Sequence, residues 1–251
     1  MLSQPMSVLP RLIRAACQPN AFSACGGIAG QVRALSERAV AVEDRPAFQT
    51  DATGHIVPHG GRLLDLMVKN AEERRALEAS CTHKQECSDR NACDVELLSV
   101  GGFSPLSGFM NKDVYDSVLD TMRLPGSNLL FGLPVVMDTN DPSVKEGSKI
   151  LLTYQGQKLG VMEVESKWAP NKAKETKLAY GTSALEHPGV KMVAWERGRY
   201  YLGGRVHGFE LPKRVFPCKT PAEVRALLPG NTDVVVFQCR NPVHRAHYEL
   251  F

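Results

Sequence analysis

The chain has 251 residues, a hydrophobic fraction of 43% and a formal net charge of +3. That length admits one large domain or two ordinary ones, and the hydrophobic content is that of a folded core. The small charge does not by itself imply nucleic-acid binding, and no run approaches the ~18 apolar residues of a membrane span. Seven scattered cysteines do not form the even framework of a disulfide-built secreted domain.

The first 42 residues carry Arg11, Arg14, Arg33 and Arg38 against one acid, Glu37. An Arg-rich, acid-poor start reads as an organelle transit peptide, here over residues 1–45, with a tail lacking any address as the alternative. Glu43 to Pro58 reads as an extended or loose lead-in ending at Pro58-His-Gly-Gly61. Ser88 can cap a helix through Val95-Glu-Leu-Leu98, which Gly101-Gly102 would end by supplying a left-handed C-cap. Asn111 can cap a second helix with Val114, Tyr115, Val118, Leu119 and Met122 at helical spacing.

From Leu129 the texture changes to short β-rich runs. Pro134–Met137, Lys149–Tyr154, Lys158–Val164, Met192–Trp195 and Tyr200–Leu202 read as strands, with Gln155-Gly156-Gln157 as a hairpin turn. Short strands with Gly-rich turns suggest a small barrel. The basic stretch Lys167 to Lys177 contains Trp168, Pro170 and Glu175 and reads as a solvated loop. Pro212 to Pro217 reads as a linker. Thr220-Pro-Ala-Glu223 is a capping box with Pro221 at the first helical position, followed by an apolar stripe of Val224, Leu227 and Leu228.

Val234–Phe237 reads as a buried strand, and Asn241-Pro242 as the start of a helix, with Asn at the N-cap. Gln238, Cys239, Arg240 and Asn241 fill the turn at the strand's carboxyl end. His244 and His247 are three apart and share one face of the first turns. A strand, a polar turn and a helix N-terminus suit an anion, and two histidines with an arginine point to phosphate chemistry. Other readings of the histidine pair are a zinc site lacking an adjoining third ligand, or ordinary helix histidines.

Gln238-Cys-Arg-Asn-Pro-Val-His-Arg-Ala-His247 resembles the Q-x-R-N-P-x-H-x-x-H signature of the ATP sulfurylase family. Cys93-Asp-Val-Glu-Leu-Leu-Ser-Val-Gly-Gly-Phe-Ser-Pro-Leu-Ser-Gly-Phe-Met110, His59-Gly-Gly61, Glu186-His-Pro-Gly-Val190 and Tyr200-Tyr-Leu-Gly-Gly204 are similar to the same family, in its order. The resemblance implies a mixed α+β and α/β architecture. A PUA-like β-barrel domain would span residues 46–212, and residues 213–251 would start a Rossmann-like nucleotidyltransferase domain. The resemblance also implies that the family's catalytic domain runs past Phe251, so that the chain is an N-terminal fragment, inactive alone.

The implied reaction is attack of a sulfate oxygen on the α-phosphorus of ATP, giving adenosine 5′-phosphosulfate and pyrophosphate. The family assigns sulfate to Gln238 and Arg240, and places Gln238, Cys239, Arg240, Asn241, His244 and His247 at ATP. The catalytic set is Cys239, Arg240, Asn241, His244 and His247. Many members carry Thr where this chain has Cys239, so any role of a Thr hydroxyl is in question here, whereas a backbone role is not. The resemblance implies Mg²⁺ carried in with ATP and no dedicated protein metal site. Implied partners are ATP and sulfate, with no nucleic acid or membrane and with a homo-oligomer for the full-length protein. The implied location is the chloroplast, with mitochondrion or cytoplasm as alternatives. Another H-x-x-H nucleotidyltransferase and a PUA-type nucleic-acid-binding module are the competing functions. Cys81, Cys87 and Cys93, six apart with His83 nearby, do not match paired zinc spacing and read as incidental.

Overall fold

The computed structural model describes residues 49–238 and 242–249. The leader expected over residues 1–45 lies outside them. The lead-in is ordered where it is described. Asp51 turns its carboxylate back to accept from the backbone N–H groups of Thr53 at 2.9 Å and His55 at 3.2 Å, and Thr50 bridges Ile56. A short Asx-type turn thus organises the described part of the extended or loose lead-in.

Helix α1 (Ala71–Ala79) opens on Asn70, whose side chain accepts from Glu72 N–H at 2.8 Å. Strand β1 (His83–Glu86) follows, and then α2 (Asp89–Ser99). Ser88 caps α2 by accepting from Asn91 N–H at 3.2 Å, and Gly101 takes a φ of +81° just beyond its end, as the sequence predicts. The two-residue strand β2 (Gly108–Phe109) leads into α3 (Lys112–Thr121). Asn111 stands at the N-cap of α3, yet its side chain makes no capping bond and donates instead to Glu165 at 2.8 Å. Tyr115, Val118 and Leu119 of α3 are buried. Met122 is exposed and ends the helix in the left-handed region, so it leaves the apolar stripe.

Strand β3 (Met137–Thr139) lies downstream of most of the expected Pro134–Met137 run. Strands β4 (Lys149–Tyr154) and β5 (Gln157–Trp168) form the expected hairpin. Its turn residues Gln155 and Gly156 both have positive φ, 48° and 80°, a type I′ geometry that matches strand twist and favours glycine. The stretch read as a solvated loop is the end of β5 with buried Trp168, followed by α4 (Lys172–Tyr180). Met192–Trp195 is also not a strand. His187 caps α5 (Pro188–Lys191) by accepting from Gly189 N–H at 3.1 Å, and the chain continues as a π-helix over Met192–Glu196. Proline at the first helical position sets φ for a helix, which overrides the strand preference of the apolar residues. Strand β6 (Tyr200–Gly208) closes this region.

The sheet runs β1-β4-β5-β6-β2, with β3 also on β6. Only β1 and β4 are parallel; β4–β5, β5–β6 and both pairs at the far edge are antiparallel. Backbone pairing therefore leaves a seam between β1 and β3. Gln85 of β1 crosses it by donating to the Asp138 carbonyl at 2.7 Å, and Asn91 of α2 donates to the Asp138 carboxylate at 3.3 Å. Strand pairing among the described residues thus leaves the expected barrel open between β1 and β3, where the Gln85 amide bridges the two strands. Strand β5 is long because it serves both neighbours, with a register shift against β6 between Val164 and Ser166. Gly108 and Gly204 sit where β2 crosses β6, and a β-carbon on Gly108 would overlap the Gly204 carbonyl.

The core gathers Met137, Ile150, Leu152, Leu159, Met162, Tyr201 and Leu202 inside the sheet and Val95, Leu98, Val118 and Leu119 from the helices. A charged centre sits among them. Glu175 of α4 is 1% exposed, accepts from the hydroxyls of Tyr115 and Tyr201 at 2.9 Å each, and pairs with Arg197 at 3.1 Å. Burial and the neighbouring Glu175 push both tyrosine hydroxyls well above the usual phenol range. Burial opposes the charge on Arg197, but Tyr201 and Glu175 outweigh it and hold the guanidinium protonated.

Helix α6 (Pro221–Leu227) begins with the predicted capping box, Thr220 and Glu223 each bonding the other's backbone N–H. Its stripe of Val224 and Leu227 is exposed, so propensity and capping form the helix without burial of that face. The segment is held by polar contacts to the lead-in. Arg225 pairs with Asp51 at 2.7 Å and donates to the Ile56 carbonyl at 3.0 Å, His55 Nε2 lies 2.8 Å from the Pro229 carbonyl, and Asn231 N–H donates to Thr53 at 2.9 Å.

Candidate functional site

Val234–Phe237 does not form a strand, and Val235 and Val236 are 91% and 86% exposed. A strand needs a paired neighbour for its backbone groups, and among the described residues none lies alongside. The helix also begins later than Pro242. Helix α7 is Arg245–Tyr248, with His244 at the N-cap in extended conformation. The expected N-cap, Asn241, lies outside the described residues, as do Cys239 and Arg240. Gln238 is described and exposed.

The two histidines are brought together. Their rings stack with centroids 3.8 Å apart and planes inclined by 29°. The reason is the capping geometry: His244 N–H lies 3.4 Å from Nδ1 of His247, three residues on, as in a capping box with an imidazole in place of the usual carboxylate. Backbone bonds from His247 N–H and Tyr248 N–H to the His244 carbonyl, at 2.9 and 3.1 Å, complete the turn. Phe237 sets its ring 5.5 Å from that of His247, inclined by 60°. This aromatic contact ties the end of the apolar run to the helix, and sequence spacing alone did not suggest it.

A four-residue helix has little dipole of its own, so the anion-attracting power expected of a long helix N-terminus is weak here. What the arrangement offers is a paired imidazole surface: two rings able to donate N–H to oxyanions, His244 exposed and His247 half-buried, with His244 directly after Pro242-Val243. Such donors suit a polyphosphate, whose charge redistributes during transfer. Among the described residues, no three His, Cys, Asp or Glu side chains gather to hold a metal ion, and no helix is long and apolar enough to cross a membrane.

Residues singled out elsewhere are separate from this pair. Cys81 donates to the Leu77 carbonyl, Cys87 is buried with its thiol pushed up to about 12 by that burial, and Cys93 is exposed beside Arg214. In the basic stretch around Trp168 two of the lysines are used internally. Lys167 donates to the carbonyls of Asp141, Pro142 and Val144, and Lys172 to that of Arg197. These cations are therefore occupied by the fold.

Comparison with known proteins adds the following. The PUA-like domain family matches residues 56–211, and the ATP-sulfurylase family matches residues 217–251. The chain is 37% identical over 207 residues to the sulfate adenylyltransferase of Neosartorya fischeri, across 77% of this chain and 36% of that protein. The sulfate adenylyltransferase of Candida albicans is 35% identical over 214 residues, across 77% of this chain and 40% of that protein. The match thus spans well under half the length of these relatives. Among solved structures, the hexameric APS kinase from Thiobacillus denitrificans aligns with a TM-score of 0.56 at 24% identity, over 78% of this chain and 36% of that one. At that identity the likeness speaks to the fold.

Proposed function

The chain belongs to the PUA-like domain family, joined here to an ATP-sulfurylase segment and related over most of its length to sulfate adenylyltransferases, and from this premise we propose that it takes part in forming adenosine 5′-phosphosulfate from ATP and sulfate. A sulfate oxygen attacks the α-phosphorus, the bond from that phosphorus to the bridging oxygen breaks, and pyrophosphate leaves with the electron pair. No covalent enzyme intermediate is needed, so the protein's task is positioning and charge stabilisation. Gln238 and Arg240 are assigned to sulfate; Gln238, Cys239, Arg240, Asn241, His244 and His247 are assigned to ATP. Arg240 suits this by its planar fork, which can grip two oxygens at once. Mg²⁺ enters with ATP as part of the substrate.

The observation that carries this reading is the stacked His244–His247 pair, placed by its own capping bond within the Gln238-to-His247 motif. The test is a chimera in which residues 49–251 replace the matching region of the Candida albicans sulfate adenylyltransferase. Sulfate-dependent exchange of pyrophosphate into ATP is expected, and a folded chimera without exchange rejects the assignment. We further propose plastid targeting by residues 1–45, on the strength of their Arg-rich, acid-poor composition. A fluorescent protein carrying these residues should enter plastids, and cytosolic retention would refute it. Homo-oligomerisation of the full-length protein is part of the same proposal, and sedimentation of that protein as a monomer would exclude it.

A further inference from the structure

His247 has a ring nitrogen, Nδ1, that faces a backbone donor. A backbone N–H can only donate, so the 3.4 Å contact from His244 N–H requires a lone pair on His247 Nδ1. A neutral imidazole with its lone pair at Nδ1 carries its proton on Nε2. The opposite tautomer would set two hydrogens against each other across the cap. The ring plane is held as well, by the stacked His244 ring at 3.8 Å and the tilted Phe237 ring at 5.5 Å.

We propose that Phe237 and the His244 backbone N–H are the positioning groups of His247: they fix its tautomer and ring plane so that Nε2–H is the donor offered to the substrate phosphates. The spacing of three then has a physical cause. The N-cap amide and the third helical residue are the two positions that a capping box joins. A histidine one residue later would lie beyond reach of that amide and lose its tautomer selection. Phe237 thereby gains a role in the site that the signature itself does not include.

This rests on the phosphate reading only for what Nε2 faces; the tautomer is measured without any ligand, so the two fail separately. The experiment is nitrogen NMR of the 251-residue chain with ¹⁵N-labelled histidine rings, at a pH where the ring is neutral. Nδ1 of His247 is expected at the position of an unprotonated acceptor and Nε2 at that of a protonated donor. Phe237→Leu should mix the two tautomers and reduce the ring-current displacement of the His247 carbon-bound protons to the share due to the His244 ring, whereas Phe237→Tyr should leave tautomer and displacement unchanged. Unchanged His207 signals, from strand β6, would show that the variants keep their fold. A His247 protonated on Nδ1, or one whose signals are indifferent to Phe237→Leu, overturns the proposal. Titration with pyrophosphate in the same sample addresses the phosphate reading: displacement of the His247 Nε2 signal is expected, and a silent titration rejects that reading alone.

Discussion

Asp94 is a single carboxylate with a measurable consequence. It lies on α2, and burial pushes its pKa up to about 6, against the pull of Arg197 and Arg90. Because the folded pKa lies above the unfolded value near ~3.9, the native state binds the extra proton between those two values. Its contribution to stability is therefore present at low pH and is lost as pH rises from about 4 to about 6. Asp94→Asn removes the cost of the buried charge, so melting temperature at pH 7.5 should rise by the equivalent of up to about 3 kcal/mol. The step in stability between pH 4 and 6 should flatten. Thermal melts of both proteins across that range decide it, and a variant less stable at pH 7.5 would show that the Arg pairing outweighs burial. At the same scale, His244→Ala and His247→Ala in the active chimera should each lower turnover by a factor of about 100–1000, as the loss of one preorganised donor does. Arg240→Lys should be severely impaired too, because a point charge cannot reproduce a fork. Turnover measured beside a melting curve separates these losses from unfolding.

At the scale of elements, α4 and the end of the π-helix are joined through one buried ion pair, which the Tyr201 hydroxyl ties to strand β6. Glu175 and Arg197 have side chains only 2% and 10% exposed, and the two tyrosine hydroxyls fill the other carboxylate oxygen. Substituting one partner strands the other charge in the core. Glu175→Gln is expected to destabilise the fold by about 3–5 kcal/mol. Tyr115→Phe removes one bond to a charged acceptor and should cost less, about 1.5–3 kcal/mol. Urea denaturation of the two variants gives the comparison; equal, small losses would mean that water enters the centre and solvates Arg197. The ring cluster of Tyr115, Trp168 and Tyr201, with centroids 5.3–5.9 Å apart, packs around the same point. Trp168 thus anchors the start of the stretch from Lys167 in the core.

Over the whole molecule, the lead-in acts as a clasp between the PUA-like domain and the segment behind it. Hydrogen bonds from the Thr53 hydroxyl and from Arg225 hold the Asp51 carboxyl well below the usual range. Asp51→Asn should therefore loosen α6, read as faster amide exchange in Val224–Leu228 with the β4–β5 hairpin unchanged; uniform protection in both would refute the clasp. Beyond the clasp, Gln238 and His244 lie exposed with His247 half-buried, and Val234–Phe237 has no strand beside it among the described residues. Since nucleotide sites in open α/β sheets are built across several strand ends, the 251-residue chain assayed by itself should show negligible sulfate-dependent exchange. Turnover at an enzyme's ordinary rate, on the order of 1–1000 per second, would contradict this.

What the sequence determined by itself was local. Ser88, Thr220 and Glu223 marked helix starts because capping is decided within three or four residues, and Gln155-Gly156 marked a hairpin because both turn positions need positive φ. The motif from Gln238 to His247 was legible for the same reason, as a run of residue types at fixed spacing. The tertiary structure decided whatever depends on distant partners. Met192–Trp195 looked like a strand until His187 and Pro188 imposed a helix on it. Lys167 to Lys177 looked solvated because nothing in its spacing reveals that Tyr115, Tyr201 and Arg197 converge on Glu175. Asn111 kept the N-cap position but gave its side chain to Glu165, a choice set by the register shift between β5 and β6. Val234–Phe237 shows the limit in the other direction: its composition favours a buried strand, but burial and pairing are supplied by neighbours, and a segment cannot provide its own.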